Sequence, residues 1–291
     1  MMHRILSLSV ILILIGLQLS MAQTQTFSSV SSEVRVDVLV TEDGIPVTDL
    51  TASDFEIYDN GVLQQEIKHA KLQQHMPVSA MLVFDMSDSV VGELLDHLKE
   101  AAFGLISEFN SQDRVALITF NHALVLGTDF TSDFSQIRSA LEQAKPTGNS
   151  ALIDASYAGM VLAKSGAELP LIIIFSDGFD TFSWLTEDMV LETAKSIDSV
   201  IYAVSTRKQT ETSFLRNLTD LTGGTLFEVE STRDLASIFL DTLNEFRSRY
   251  MLAYTPQGVP EYGWHQLEVR VHRSTVKIRT RPGYMKNKPG D

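Results

Sequence analysis

"MLVFDMSDSV", residues 81–90, carries four apolar residues straight into a stretch with two aspartates and two serines. Extended back to Val78, it is a near-continuous apolar run, the pattern of a strand buried on both faces of a parallel sheet. Helical apolar spacing follows over residues 91–109, and "DRVALITF" (113–120) reads as the next strand. After the short apolar stretch "ALVLG" (123–127), helices are expected over 132–144 and 151–166, separated by the loop "KPTGNS" (145–150). The series continues with strand 169–178, helix 186–197, strand 200–206, helix 212–221, strand 224–229 and helix 231–249. Strands alternating with helices from about 78 to 249 specify an α/β fold, a doubly wound and mostly parallel Rossmann-like sheet.

On either side of this block the texture changes to all-β. "EVRVDVLV" (33–40) alternates with period two, Asp43-Gly44 marks a tight turn, and Asn60-Gly61 inside "FEIYDNGVLQQEIKHA" (55–70) is a strong hairpin signal. From Tyr250 the strand pattern returns in "YMLAYTP", "WHQLEVRVH" and "STVKIRT". The expected organisation is a signal peptide at 1–22, an N-terminal β segment at 23–75, the α/β unit at 76–249 and a C-terminal β segment at 250–291. Residues 33–72 and 250–282 would then share one small core into which the α/β unit is inserted. Two separate β subdomains are the alternative, although pieces of two or three strands are marginal alone.

A formal net charge of −14 argues against a nucleic-acid partner, which would need clustered Lys and Arg. His3 and Arg4 precede an apolar run from Ile5 to Leu19, and Ser20-Met21-Ala22 supplies small residues for cleavage after Ala22. The protein is therefore expected to be exported, periplasmic or secreted, with no membrane span after cleavage; an uncleaved anchor is the alternative. The absence of cysteine rules out both a disulfide and a lipid-modified cysteine tether.

In an open α/β sheet, ligands bind beyond the carboxyl ends of the strands. Three segments bring polar residues there: Asp85, Ser87 and Ser89 after the first buried strand, Ser150 before a helix, and Asp177 after the central strand. Two carboxylates and three hydroxyls, with no His or Cys, form a hard-oxygen donor set suited to Mg²⁺ or Mn²⁺. Each piece also has a plain structural reading: Ser87 and Ser89 as caps of the following helix, Ser150 as another N-cap, Asp177-Gly178 as a turn. Asp88 and Asp180 read as solvated loop charges, and Asp154 as a residue that bonds near the site. Trp184 is either an exposed partner contact or core. The histidines at 69, 75, 97, 122, 265 and 272 show no ligand spacing and read as surface residues.

Together, "DMSDS", "PTGNSALIDA" and "SDG" resemble the three motifs of the von Willebrand factor A (VWA) domain and its metal-ion-dependent adhesion site, in the family's order and over roughly residues 76–249. Ser150 stands where the family pattern has Thr, and Asn149 where it has Gly. The flanks, "VDVLVTEDGIPVTDLTASDFEIYDNGVLQQEI" and "YMLAYTP…RPGY", resemble the VWFA-related subgroup common in Acidobacteria. The resemblance implies a non-enzymatic bacterial adhesion-type module that holds Mg²⁺ (or Mn²⁺) and captures an acidic side chain of a partner protein. In that role Ser87, Ser89 and Ser150 would bind the metal directly, and Asp85 and Asp177 mostly through water. It also implies that ligand entry couples to movement of the last helix, residues 232–249. Two other functions remain open. One is a metal-free scaffold with a degenerate site. The other, a metal-assisted hydrolase, is disfavoured because the strand-end motifs contain no histidine base and no G-x-S-x-G elbow.

Overall fold

The computed structural model of the chain describes residues 33–166, 170–177, 179–206 and 212–288. The signal-peptide assignment lies outside the described residues, among which no helix is long and apolar enough to cross a membrane.

Five strands precede the α/β block: β1 (Val34–Glu42), β2 (Ile45–Pro46), β3 (Phe55–Asp59), β4 (Val62–Leu63) and β5 (Ile67–Leu72). β3 and β4 form the hairpin around Asn60-Gly61, both at positive φ as a tight two-residue turn requires. The block itself runs β6 (Ser79–Asp85), α1 (Glu93–Ser107), β7 (Arg114–Phe120), β8 (Leu124–Thr131), α2 (Phe134–Gln143) and α3 (Leu152–Gly166). It continues with β9 (Leu171–Ser176), α4 (Glu187–Ala194), β10 (Val200–Ser205), α5 (Ser213–Thr222), β11 (Leu226–Glu228) and α6 (Leu235–Arg247). Four more strands close the chain: β12 (Tyr250–Tyr254), β13 (Gly263–Val271), β14 (Val276–Thr280) and β15 (Gly283–Lys286).

The central sheet has the order β11-β10-β9-β6-β7-β8, parallel except for the edge strand β8, which pairs antiparallel with β7. Alternation within β6 feeds both faces. Leu82 and Phe84 join a core with α1, α2 and α6, while Met81 and Val83 join a second core with α3, α4 and α5. Gly159 lets α3 ride close to the sheet, because a Cβ there would lie 2.8 Å from Val83 Cγ2. Chain order runs outward one way from β6 and the other way from β9, so the switch point, where such sheets open a crevice, lies between their carboxyl ends.

The flanking strands make two further sheets, β14-β1-β12-β5 with β2 paired to β1, and β15-β13-β3-β4. Each draws on both ends of the chain: β1 lies between β12 and β14, and β3 pairs with β13. Their inner faces meet in one apolar core that includes Val36, Val38, Ile57, Leu252 and Val269. Histidine 265 belongs inside this β platform, a correction to the surface reading. It is buried, with Nδ1 2.8 Å from Asp59 Oδ1, while Tyr254 and Tyr284 donate to Asp59 Oδ2 at 2.7 and 3.0 Å. Burial in this cluster pushes both tyrosine hydroxyls far above their ordinary range.

Arginines join platform and α/β unit at the amino ends of the parallel strands. Arg249, fully buried, donates to the Gly223 carbonyl at 2.8 Å and to Tyr202 Oη at 3.2 Å. Arg281 reaches Asp198 at 2.8 Å and Arg279 reaches Glu245 at 2.7 Å. Gly224 is packed too tightly for any side chain, since a Cβ would sit 1.8 Å from the Ile201 carbonyl oxygen. α6 passes through Ser248 and Arg249 directly into β12, a central strand of the platform.

Candidate functional site

At the carboxyl end of β6, Asp85 is fully buried and held by three donors. The Ser87 amide bonds Oδ1 at 2.8 Å, and the Ser150 and Ser176 hydroxyls bond Oδ2 at 2.9 and 2.8 Å. Burial raises the Asp85 carboxyl above its ordinary value of 3.8, although these hydrogen bonds pull the other way. Among the described residues no Lys or Arg forms an ion pair with it. Ser87 Oγ lies 3.0 Å from Ser89 Oγ, with Ser87 buried and Ser89 exposed. Asp177, also buried, follows Ser176 at the end of β9 and accepts from the Phe179 amide at 3.2 Å. Hydrogen bonds thus link Asp85, Ser150 and Ser176, with Ser87 and Ser89 alongside; Asp177 lies one residue beyond the linked Ser176.

Gly92 is the N-cap of α1 and no side chain caps it, so neither Ser87 nor Ser89 is spent there. At α3 the amino-terminal amides are taken by another loop: Ile153 N donates to Asp180 Oδ1 at 3.2 Å and Asp154 N to Ser183 Oγ at 3.0 Å. Ser150 is thereby released from capping and its hydroxyl points to Asp85. Asp180 is a correction to the solvated-charge reading, because it fastens loop 179–185 to α3 and also accepts from Ser183 Oγ at 2.5 Å. Asp154 fastens the same loop through the Trp184 and Leu185 amides, at 3.0 and 2.9 Å. Asp88 is exposed, as expected.

Two participants escaped sequence reasoning. Ser176 was visible as the first residue of "SDG", yet its bond to Asp85 depends on β6 and β9 being neighbours. Thr181 exchanges bonds with the Ser150 backbone, accepting from its amide at 3.0 Å, and no local pattern marks it. His122, two residues past β7, lies against Gly148 and Phe182 in the same crevice but bonds none of the site serines. Among the described residues, no three His, Asp or Glu side chains converge as a metal-binding group. A cation held here would therefore depend on hydroxyl and water oxygens beside the carboxylates, a donor set that fits a hard divalent ion.

A sequence model of the von Willebrand factor type A domain matches residues 81–241. An uncharacterised protein of Synechocystis sp. is 31% identical over 116 residues, covering 38% of this chain and 28% of that protein. The chain thus spans little more than a quarter of that relative's length. Among solved structures, proximal thread matrix protein 1 from the mussel byssus superposes with a TM-score of 0.53 at 16% identity, covering 64% of this chain and 50% of that one. Another structure of it, with a zinc-occupied MIDAS motif, gives 0.53 at 17% identity over 62% and 48% of the two chains. A mutant PilB minor pilin of Streptococcus sanguinis gives 0.51 at 13% identity, covering 60% and 62%. At these identities the likeness is one of fold.

Proposed function

The chain belongs to the von Willebrand factor type A domain family, and on that premise we propose that it is an exported protein-binding module of adhesion type, with a divalent cation, Mg²⁺ or Mn²⁺, at the carboxyl ends of β6 and β9. Ser87, Ser89 and Ser150 would hold the cation through their hydroxyls, and Asp85 and Asp177 through water. One observation carries the reading: Asp85 is a buried carboxylate surrounded by hydroxyls and an amide, with no basic partner among the described residues. An unneutralised buried charge is costly, and a bound cation is the simplest compensation. When bound, the cation supplies an open coordination position for a carboxylate oxygen of a partner protein. The chain's own residues orient the hydroxyls and bury Asp85; among the described residues no histidine bonds the site serines as a general base would, His122 packing on Gly148 and Phe182 instead, so we propose binding rather than catalysis. In this reading residues 76–249 form the binding unit, and the β platform supports it from the opposite end of the sheet.

Supporting this is the release of Ser87, Ser89 and Ser150 from helix capping. The test is calorimetric titration of MgCl₂ and MnCl₂ into EDTA-stripped protein. Saturable heat that is lost in Asp177→Ala supports the proposal. Absence of heat, with no shift in melting temperature at millimolar metal, overturns it in favour of a metal-free scaffold.

A further inference from the structure

Beside the candidate cation site the molecule displays apolar surface in a form that needs explanation. Trp184 is 88% exposed, the most exposed of the large apolar side chains described, and Phe179 and Phe182 on the same loop are 43% and 45% exposed. The loop that carries them is fastened through its backbone and polar side chains. The Asp154 carboxylate takes the Trp184 and Leu185 amides, Asp180 takes the Ile153 amide and the Ser183 hydroxyl, and Thr181 exchanges bonds with the Ser150 backbone. Phe182 packs edge-on against His122 at a centroid distance of 5.9 Å, and His122 in turn lies over Gly148 in the loop leading to Ser150. Asp154 is one helical turn from Ser150, so the aromatic loop and the hydroxyl of the candidate site are fastened to the same end of α3. Rigid, exposed aromatic side chains lose little entropy on contact and are the residues that anchor interfaces.

Charge narrows what can dock there. The protein carries a net charge of −14, and Asp88 is exposed within the site's own "DMSDS" segment, so an acidic partner is repelled at long range. A single carboxylate–cation link must also offset the loss of translational and rotational freedom on association. The remaining affinity has to come from uncharged contact next to the acid. We infer that the loop 179–185 is a specificity surface for an extended protein segment in which one acidic residue is flanked by aromatic or large apolar residues, the acid entering the cation site and a flanking side chain packing on Trp184 and Phe182. This rests on the cation-site reading above.

Two peptides serve as probes, acetyl-Gly-Phe-Asp-Phe-Gly-amide and acetyl-Gly-Ser-Asp-Ser-Gly-amide, titrated by ligand-observed NMR into the protein with and without saturating Mg²⁺. The expected result is Mg²⁺-dependent binding in which the Phe-flanked peptide is favoured by about tenfold or more. Trp184→Ala should collapse that preference toward one while leaving the calorimetric Mg²⁺ titration unchanged, and Phe182→Ala should reduce it in part. Equal affinity for the two peptides, a preference that survives Trp184→Ala, or binding of neither peptide by Mg²⁺-loaded protein overturns the inference and leaves the cation site standing. Self-association that Trp184→Ala abolishes in sedimentation also overturns it, since a second copy would then be the occupant. No heat of Mg²⁺ binding removes the premise itself, which is a separate and distinguishable failure.

Discussion

The two ends of the central sheet treat buried charge in opposite ways. At the amino ends, acids and arginines meet: Arg281 with Asp198, Arg279 with Glu245, Arg247 with Asp113, and Arg249 amid Gly223, Tyr202 and the nearby Asp37. Burial holds the Asp37 carboxyl above its usual range, while Arg249, a hydrogen bond from Gln73 and Arg281 draw it back. At the carboxyl ends, Asp85 is as deeply buried and has hydroxyls and an amide for company, with no ion-paired Lys or Arg among the described residues. One end is internally neutralised and serves as a joint. The other holds a buried carboxylate with no ion-paired Lys or Arg among the described residues, and the proposed cation site rests on that difference.

The comparison breaks most visibly at the joint. Arg249→Met leaves Tyr202 and the Gly223 carbonyl without their donor and removes a positive charge near Asp37. The expected loss is roughly 3 kcal/mol in urea unfolding, with Mg²⁺ binding by the folded protein unchanged. Removal of metal comes next in size. If the carboxyl end lacks only a cation, Mg²⁺ at about one hundred times its dissociation constant should add roughly 2.7 kcal/mol of stability, measured as a rise in urea midpoint, and EDTA should reverse it. Asp85→Asn should abolish that gain.

A pH experiment sharpens the same contrast. Because the folded Asp85 carboxyl is raised above 3.8, the folded metal-free protein binds more protons than the unfolded chain between 3.8 and the raised value. Asp85 therefore costs stability as pH rises through that window, and the cost persists above it. Asp85→Asn carries no such titration, so in EDTA the stability of wild type minus that of the variant should fall as pH is raised above 3.8, as followed by urea unfolding at a series of pH values. A flat difference across pH would mean that the hydroxyls and the amide already compensate the charge. The smallest effect is expected from Ser150→Thr. The added methyl restrains the side-chain rotamer, and metal affinity should rise about two- to threefold by calorimetry.

The joint also bears on the movement of the last helix that the family resemblance implies. Helix α6 is followed without a linker by β12, which is hydrogen-bonded on both sides within the platform sheet. Sliding α6 along its axis would drag Arg249 and Tyr250 from buried positions, so any coupling between ligand and helix has to move the platform as well.

Sequence by itself determined the alternation of strands and helices, because each period is a local consequence of which faces are buried, and "VSAMLVF" is buried on both. It also singled out Asp85, Ser87, Ser89, Ser150 and Asp177 as candidate oxygen donors, since each lies at or just beyond a strand end, or just before a helix, recognisable on its own. It could not assign Ser87, Ser89 and Ser150 between capping and site. For Ser150 that depended on Asp180 and Ser183, about thirty residues away, taking over the amides of α3, and for Ser87 and Ser89 on Gly92 standing at the N-cap of α1. Nor could it place Trp184 outside and His265 inside. A tryptophan and a histidine carry no period of their own; their burial follows from Asp154 gripping a distant loop and from β13 pairing with β3 and β15 across the full length of the chain. Burial and charge compensation are sums over neighbours in space, and only the tertiary structure decides who those neighbours are.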